Sequence, residues 1–376
     1  MSTAGVAELV IPQHLLPQDG RFGSGPSKVP AAAQRALAET RLLGTSHRQE
    51  PVRDLVRRIR RGVAELLALP SGYEVALGNG GATLFWDLAS LCLIRERSQH
   101  LVFGEFSSKF ASAVRAAPFL LEPELVPAEP GSHPEPRASS QVDAYCLTQN
   151  ETSTGVAMAI RRPSPDPEQL VLVDATSAAG GLAAAPEQFD AYYFAPQKCF
   201  AAEGGLWVAA LSPAAIARAQ QLEGSGRWVP ASLSLTLALE NSRLDQTYNT
   251  PAIATLILLL HQIEAVLSSG GLAWAEQRSR RSSEIVYDWA EQRPWAQPFV
   301  SDPAMRSPVV ATIDLDPSVP AARVSAVLRA NGVIDTDSYR KLGRNQLRLG
   351  LFPAVDPEDA GQLTHAIDWV VGELTK

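Results

Sequence analysis

Cysteine is scarce in this chain: Cys92, Cys146 and Cys199 are the three in 376 residues, far apart and with no CxxC pair. That count excludes a disulfide framework and gives no zinc-binding spacing. Long apolar runs are missing as well. No stretch approaches the ~18 uncharged residues of a membrane-crossing helix. The start of the chain lacks the basic-then-apolar plan of a secretory signal, so a cytoplasmic location is expected. A basic excess is absent: the net charge is −7, which gives no reason to expect nucleic acid or an anionic membrane as partner. Neither Gly-x-Gly-x-x-Gly nor the P-loop pattern occurs, which lowers the nucleotide-binding readings.

What is present is the composition of a folded enzyme, 45% hydrophobic and 19% charged. The length exceeds one ordinary core, and two domains are expected, 1–265 and 266–376. Short apolar runs near 74–77, 101–103, 120–126, 143–148, 170–174, 190–194 and 206–211 read as strands. Helical patterns occur at 28–43, 51–69 and 84–94, and a long apolar helix at 251–267. This interleaving favours a mostly parallel sheet with helices on both faces. Beyond it, a polar amphipathic helix at 275–293, strands at 309–315 and 346–351, and helices at 320–331 and 357–374 make a smaller α+β unit. The basic cluster Arg53 to Arg61 sits at helical spacing, as a solvated or subunit-facing surface.

Two residues point to chemistry. Lys198 follows the apolar run Ala191 to Phe194, and Asp174 closes the run Leu170 to Val173. Read alone, the lysine is a solvated loop residue and the aspartate a helix cap. Read together, an amine that bonds an aldehyde and an acid that pairs with a pyridine nitrogen fit pyridoxal phosphate chemistry. A Gly-rich turn, Gly78 to Thr83, joins a strand to a helix and can offer backbone N–H groups to a phosphate. Ser46-His47-Arg48 can grip a doubly charged anion or form a surface loop. Asn150-Glu151-Thr152 is a polar turn whose Thr152 hydroxyl can reach a cofactor ring. Asn249-Thr250-Pro251 reads as a helix cap or a second anion site. Arg348 is a cation inside an apolar strand; if buried, it needs an anion such as a substrate carboxylate.

With Gly25-Pro26, these motifs resemble the phosphoserine aminotransferases, pyridoxal phosphate enzymes of the class V aminotransferase family, in order and over nearly the whole chain. Ser-His-Arg and Asn-Thr-Pro are the specific ones. The resemblance implies fold type I: a mostly parallel seven-stranded sheet with helices on both faces, plus a smaller C-terminal α+β domain. It implies transamination between L-glutamate and 3-phosphohydroxypyruvate in a homodimer with shared active sites. It assigns Lys198 and Asp174 the catalytic roles, and it assigns Ala82, Thr83, Phe106, Thr152, Gln197, Asn249 and Thr250 to the cofactor, the last two from the partner subunit. His47, Arg48 and Arg348 fall to the substrate. Thr83 stands where many relatives carry arginine, so Lys341 or Arg344 is expected to supply that charge. Cys199 follows the lysine where asparagine is commoner, and Leu349-Gly350 replaces the usual Ala-Ser.

Two rival readings stand beside this one. Another enzyme of the same fold is the first: an alanine– or serine–glyoxylate type transaminase would not need the Ser-His-Arg clamp. A cysteine desulfurase would need a Cys in a Gly/Ser-rich exposed loop, which this chain lacks. The second is a binding protein on a degenerate fold, expected to have lost Lys198 or Asp174.

Overall fold

The computed structural model describes residues 9–376. In chain order the strands are β1 (Glu74–Asn79), β2 (Ser98–Val102), β3 (Glu124–Pro127), β4 (Ala144–Thr148), the short hairpin β5 (Asn150–Glu151) and β6 (Val156–Ala157), β7 (Leu170–Asp174), β8 (Ala191–Phe194), β9 (Leu206–Leu211), β10 (Ala296–Pro298), β11 (Val310–Leu315) and β12 (Gln346–Gly350). Seven of them form one sheet in the order β1-β9-β8-β7-β4-β2-β3. Its pairs from β8 through β3 are parallel, and β9 runs antiparallel to both neighbours.

The strands are continuously apolar because both faces are covered. Val171 and Val173 enter one hydrophobic layer, and Leu170 and Leu172 the opposite one. The helices are α1 (Ala31–Glu39), α2 (Glu50–Leu66), α3 (Ala82–Cys92), α4 (Glu105–Arg115), α5 (Pro213–Gly224), α6 (Leu235–Arg243), α7 (Ile253–Ser269), α8 (Gly271–Glu291), α9 (Ala321–Ala330) and α10 (Pro357–Leu374). In α2, Val52, Leu55, Val56, Ile59 and Val63 are buried at helical spacing. The basic residues on its other face are balanced within the chain: Arg57 and Arg60 pair with Asp245, and Arg58 with Glu264.

The segments α4, α5 and α6 are helices that the sequence patterns left unread. The apolar helix α7 begins at Ile253 with Ala252 at its N-cap, so Thr250 and Pro251 lie ahead of it and do not cap it. Among the described residues, no single helix is long and apolar enough to cross a membrane.

β10, β11 and β12 form a second, antiparallel sheet packed against α8, α9 and α10. The beginning of the described chain joins this unit. Ile11 and Phe22 sit in its core, and the Gly350 N–H donates to the Phe22 carbonyl at 2.7 Å. The chain then runs from Arg21 to Lys28 back toward the large sheet. Lys28 anchors that passage: its buried Nζ lies 3.8 Å from Asp19, 3.4 Å from Asp356 and 3.5 Å from Asp359. Asp19 and Asp356 also pair with Arg21 and Arg278, whereas Lys28 is the one cation paired with Asp359 among the described residues.

Removing one partner from a buried ion pair costs about 3–5 kcal/mol. Lys28→Met is therefore expected to lower unfolding stability by about 3 kcal/mol, and adding Asp359→Asn should recover part of that. Urea unfolding of the two variants checks this; simply additive losses would show that the two residues are not coupled.

Candidate active site

The site lies where several strands of the large sheet end. β4 runs into the turn bearing Thr152, β7 ends on Asp174, and β8 leads to Lys198. β1 passes through Gly80-Gly81 into α3. Ligands in open α/β sheets collect at this carboxyl edge. A cavity of about 590 Å³ opens there, lined among others by Gly25, Thr83, Phe106, Asp174, Lys198 and Arg348. Its size suits a small cofactor with substrate.

Lys198 is 8% exposed. Its Nζ donates to Thr152 Oγ1 at 2.9 Å and stands 5.0 Å from the Phe106 ring centroid. The lysine stem packs against Gly25, where φ is +136° and a Cβ would fall 2.8 Å from Lys198 Cε, so only glycine fits. Burial pushes the ammonium down to about 8; the carboxylates of Asp174 and Glu151 oppose that shift, and Arg348 adds to it. The amine is thus half-deprotonated at about pH 8, and a far larger share of it is neutral at pH 7 than for a solvated lysine, as a nucleophile requires. Because this value lies below the unfolded one of 10.5, the unfolded chain binds the proton more readily between about pH 8 and 10.5. Through that window the group adds stability as pH rises.

Asp174 is 4% exposed and firmly held. Its Oδ2 accepts from Trp86 Nε1 at 2.8 Å, and its Oδ1 accepts from the Thr176 N–H at 3.0 Å and hydroxyl at 2.6 Å. Thr152 in turn is tied to Ser177 Oγ at 2.9 Å, and Ser177 donates to the Asn150 carbonyl at 2.9 Å.

On another wall, Gly81 is the N-cap of α3 and no side chain caps the helix. Its first-turn N–H groups, at Ala82 and Thr83, point toward an anion site with the positive end of the helix dipole. Gln197 Oε1 is buried without a hydrogen-bond partner, as are Asn150 Oδ1 and Arg348 Nε. Arg348 comes from β12 and reaches across from the smaller sheet; its Nη1 donates to the Thr152 carbonyl at 3.4 Å and its guanidinium covers the Tyr339 ring at 5.1 Å. Burial lowers its pKa, the mark of a cation kept without a full complement of anions.

Lys198, Asp174, Ala82, Thr83, Phe106, Thr152, Gln197 and Arg348 thus share one cavity. His47, Arg48, Asn249 and Thr250 do not line it. They stand together elsewhere on the same chain: Thr250 Oγ1 is 3.2 Å from His47 Nδ1, and Asn79 Nδ2 donates to the Thr250 carbonyl at 2.7 Å. Arg48 is exposed, and His47 Nε2 is buried without a partner. The two cations expected to replace the missing arginine are engaged elsewhere, Lys341 with Glu105 and Arg344 with Asp314, and neither lines the cavity. Trp86, Ser177, Glu151 and Tyr339 escaped the sequence reading. Glu151 stood within the Asn150-Glu151-Thr152 turn with no task of its own, and Trp86 left a trace by falling one helical turn past the Gly-rich corner.

The donor set fits an aromatic aldehyde phosphate. A depressed lysine amine, a buried carboxylate, an uncapped helix N-terminus and unpartnered polar atoms on the same wall are complementary to its aldehyde, ring nitrogen and phosphate. Among the described residues no cluster of His, Cys, Asp and Glu could hold a metal ion.

Comparison with known proteins agrees. The family model described as aminotransferase class-V matches residues 25–335. A phosphoserine aminotransferase of Rhodococcus opacus is 56% identical over 97% of this chain and 98% of its own length. One of a Nocardioides species is 58% identical over 97% and 99%. In fold, the chain is similar to a phosphoserine aminotransferase crystal structure from Cytophaga hutchinsonii, with a TM-score of 0.85 at 23% identity, covering 94% of this chain and 99% of that one.

In the cofactor-free protein, labelling of Lys198 by an amine reagent should follow a midpoint near pH 8. Asp174→Asn removes a carboxylate that favours the ammonium and should move the midpoint lower. Peptide mapping across a pH series reads both; a midpoint near that of a solvent-exposed lysine would refute the buried amine.

Proposed function

The chain belongs to the class V aminotransferase family, and we propose that it transfers the amino group of L-glutamate to 3-phosphohydroxypyruvate, giving O-phospho-L-serine and 2-oxoglutarate for serine biosynthesis. One observation carries this reading: Lys198, Asp174 and Arg348 converge on one cavity in a chain 56–58% identical to phosphoserine aminotransferases over nearly its full length. Bound pyridoxal 5′-phosphate supplies the electron sink for negative charge developing at the substrate Cα.

Each residue then has a physical task. Lys198 Nζ holds the cofactor aldehyde and, once displaced, carries a proton to and from the substrate carbon. Asp174, fixed by Trp86 and Thr176, holds a proton on the ring nitrogen. The N–H groups of Ala82 and Thr83, with Gln197, hold the phosphate, and the Phe106 ring covers the cofactor face. Thr152 hydrogen-bonds the ring hydroxyl. Arg348 binds the α-carboxylate that both amino acids share, and a planar guanidinium suits that task.

The far anion of the substrate falls to His47 and Arg48. In one chain they lie outside the cavity beside Thr250, and this favours a homodimer in which they, with Asn249 and Thr250, complete the neighbouring subunit's site. Both substrates are anionic at each end, so one cationic site serves both halves of the exchange. The reading includes a cytoplasmic location and a large domain ending near residue 265.

The purified protein with pyridoxal phosphate should absorb as a lysine-bound cofactor, and O-phospho-L-serine should convert that spectrum while alanine does so poorly. Lys198→Ala should abolish turnover. Arg348→Ala should lower kcat/KM for glutamate and O-phospho-L-serine alike by about 100-fold, the loss of a charge-assisted pair worth about 3 kcal/mol. A response to alanine equal to that of the phosphorylated amino acid would replace the substrate assignment with another transaminase of the family.

A further inference from the structure

Glu151 is a carboxylate with 0% exposure, and it forms no salt bridge with a lysine, arginine or histidine among the described residues. A buried anion is tolerated only when hydrogen bonds replace its water. Here they do. The Phe106 N–H donates to both oxygens, at 3.1 and 3.3 Å. The Ser107 N–H and hydroxyl donate to Oε2 at 2.9 and 3.0 Å. The Ser153 N–H and hydroxyl donate to Oε1 at 3.2 and 2.7 Å.

These donors belong to two pieces of the site. Phe106 and Ser107 form the first turn of α4, where the helix dipole favours an anion. Ser153 closes the turn that carries Thr152. The fit leaves no slack: a Cβ at Gly104 would fall 2.3 Å from Glu151 Cγ. One carboxylate therefore clamps together the ring over which Lys198 Nζ stands and the hydroxyl to which it donates.

We infer that Glu151 is a positioning residue that fixes Phe106 and Thr152 around Lys198 and supplies, beside Asp174, a second negative charge that holds the proton on the lysine nitrogen. The charged and titratable groups that act on that nitrogen are Asp174 on β7, Glu151 on the Thr152 turn, Arg348 on β12 and the adjacent Cys199; the two carboxylates favour the proton and Arg348 opposes it. Glu105, beside Phe106, is already balanced by Lys109 and Lys341. The two functions separate by substitution, because Ser107→Ala removes a hydrogen bond and leaves the charge, whereas Glu151→Gln removes the charge together with the hydrogen bonds to one oxygen.

The inference rests on the cofactor reading above and is tested on the cofactor-loaded protein by spectrophotometric pH titration of the lysine-bound chromophore. Glu151→Gln, neutral and of the same shape, should lower the titration midpoint by about one pH unit, the usual effect of losing a nearby opposite charge. Ser107→Ala keeps the charge and should leave the midpoint in place while weakening cofactor binding several-fold. A midpoint unmoved by Glu151→Gln, or moved as far by Ser107→Ala, overturns the electrostatic role. Should Glu151→Gln fail to fold, Glu151→Asp decides: it must keep the wild-type midpoint and bind cofactor several-fold more weakly, and wild-type affinity or a lowered midpoint overturns the inference. Absence of any lysine-bound chromophore in the wild type would instead sink the cofactor reading.

Discussion

The structure turns on one energetic conflict, the burial of the Lys198 amine. Desolvation drives its proton off, and nearby carboxylates draw the proton back. A lysine at the surface would stay charged and inert; one buried without acids would seldom be protonated at all. The value near 8 is the balance point, and the amine is lodged among Asp174, Thr152 and Gly25, which are held in place by three separate parts of the chain. The sheet supplies the first, the turn after β4 the second, and the passage anchored at Lys28 the third.

The smaller sheet takes part directly. Arg348 crosses from β12 to within hydrogen-bonding reach of the Thr152 carbonyl. The beginning of the described chain, seated in the core of that unit through Phe22, returns to press Gly25 on the lysine stem. Displacement of the smaller sheet would alter both the position of the Arg348 guanidinium and the packing of the Lys198 amine.

Much of this was legible in the sequence. Strands such as β7 and β8 announce themselves because a strand covered on both faces is apolar throughout, and the Lys198–Asp174 pairing follows from what ends them. The helix α5 was missed because alanine and glutamine carry little hydrophobic period, whereas α4, with Phe110, Ala111 and Val114 buried at helical spacing, carries a period that went unread, and α6 is only nine residues long. The start of α7 was misplaced because Thr250-Pro251 mimics a cap that the chain does not use. In the site, residues with reactive or charged groups could be found, whereas Trp86, Ser177 and Tyr339, which also line the cavity, and the enclosed Glu151 are brought there only by packing against partners elsewhere in the chain. A polar turn that reads as Asn-Glu-Thr gives no hint that its middle residue is entirely enclosed.

The reversal of β9 has a consequence for evolution of the site. Lys198 stands in a loop bounded on both sides by antiparallel pairings, β8 with β9 and β9 with β1. Most connections of an α/β sheet run through helices that can shift to absorb a gained or lost residue. This one is a direct strand-to-strand return, and from Ala195 to Ala202 it is buried at every position but Gln197. The segment from Ala195 to Ala202 thus has little room for a gained residue even at positions that touch neither cofactor nor substrate, and diversification of this scaffold is pushed toward its exposed loops.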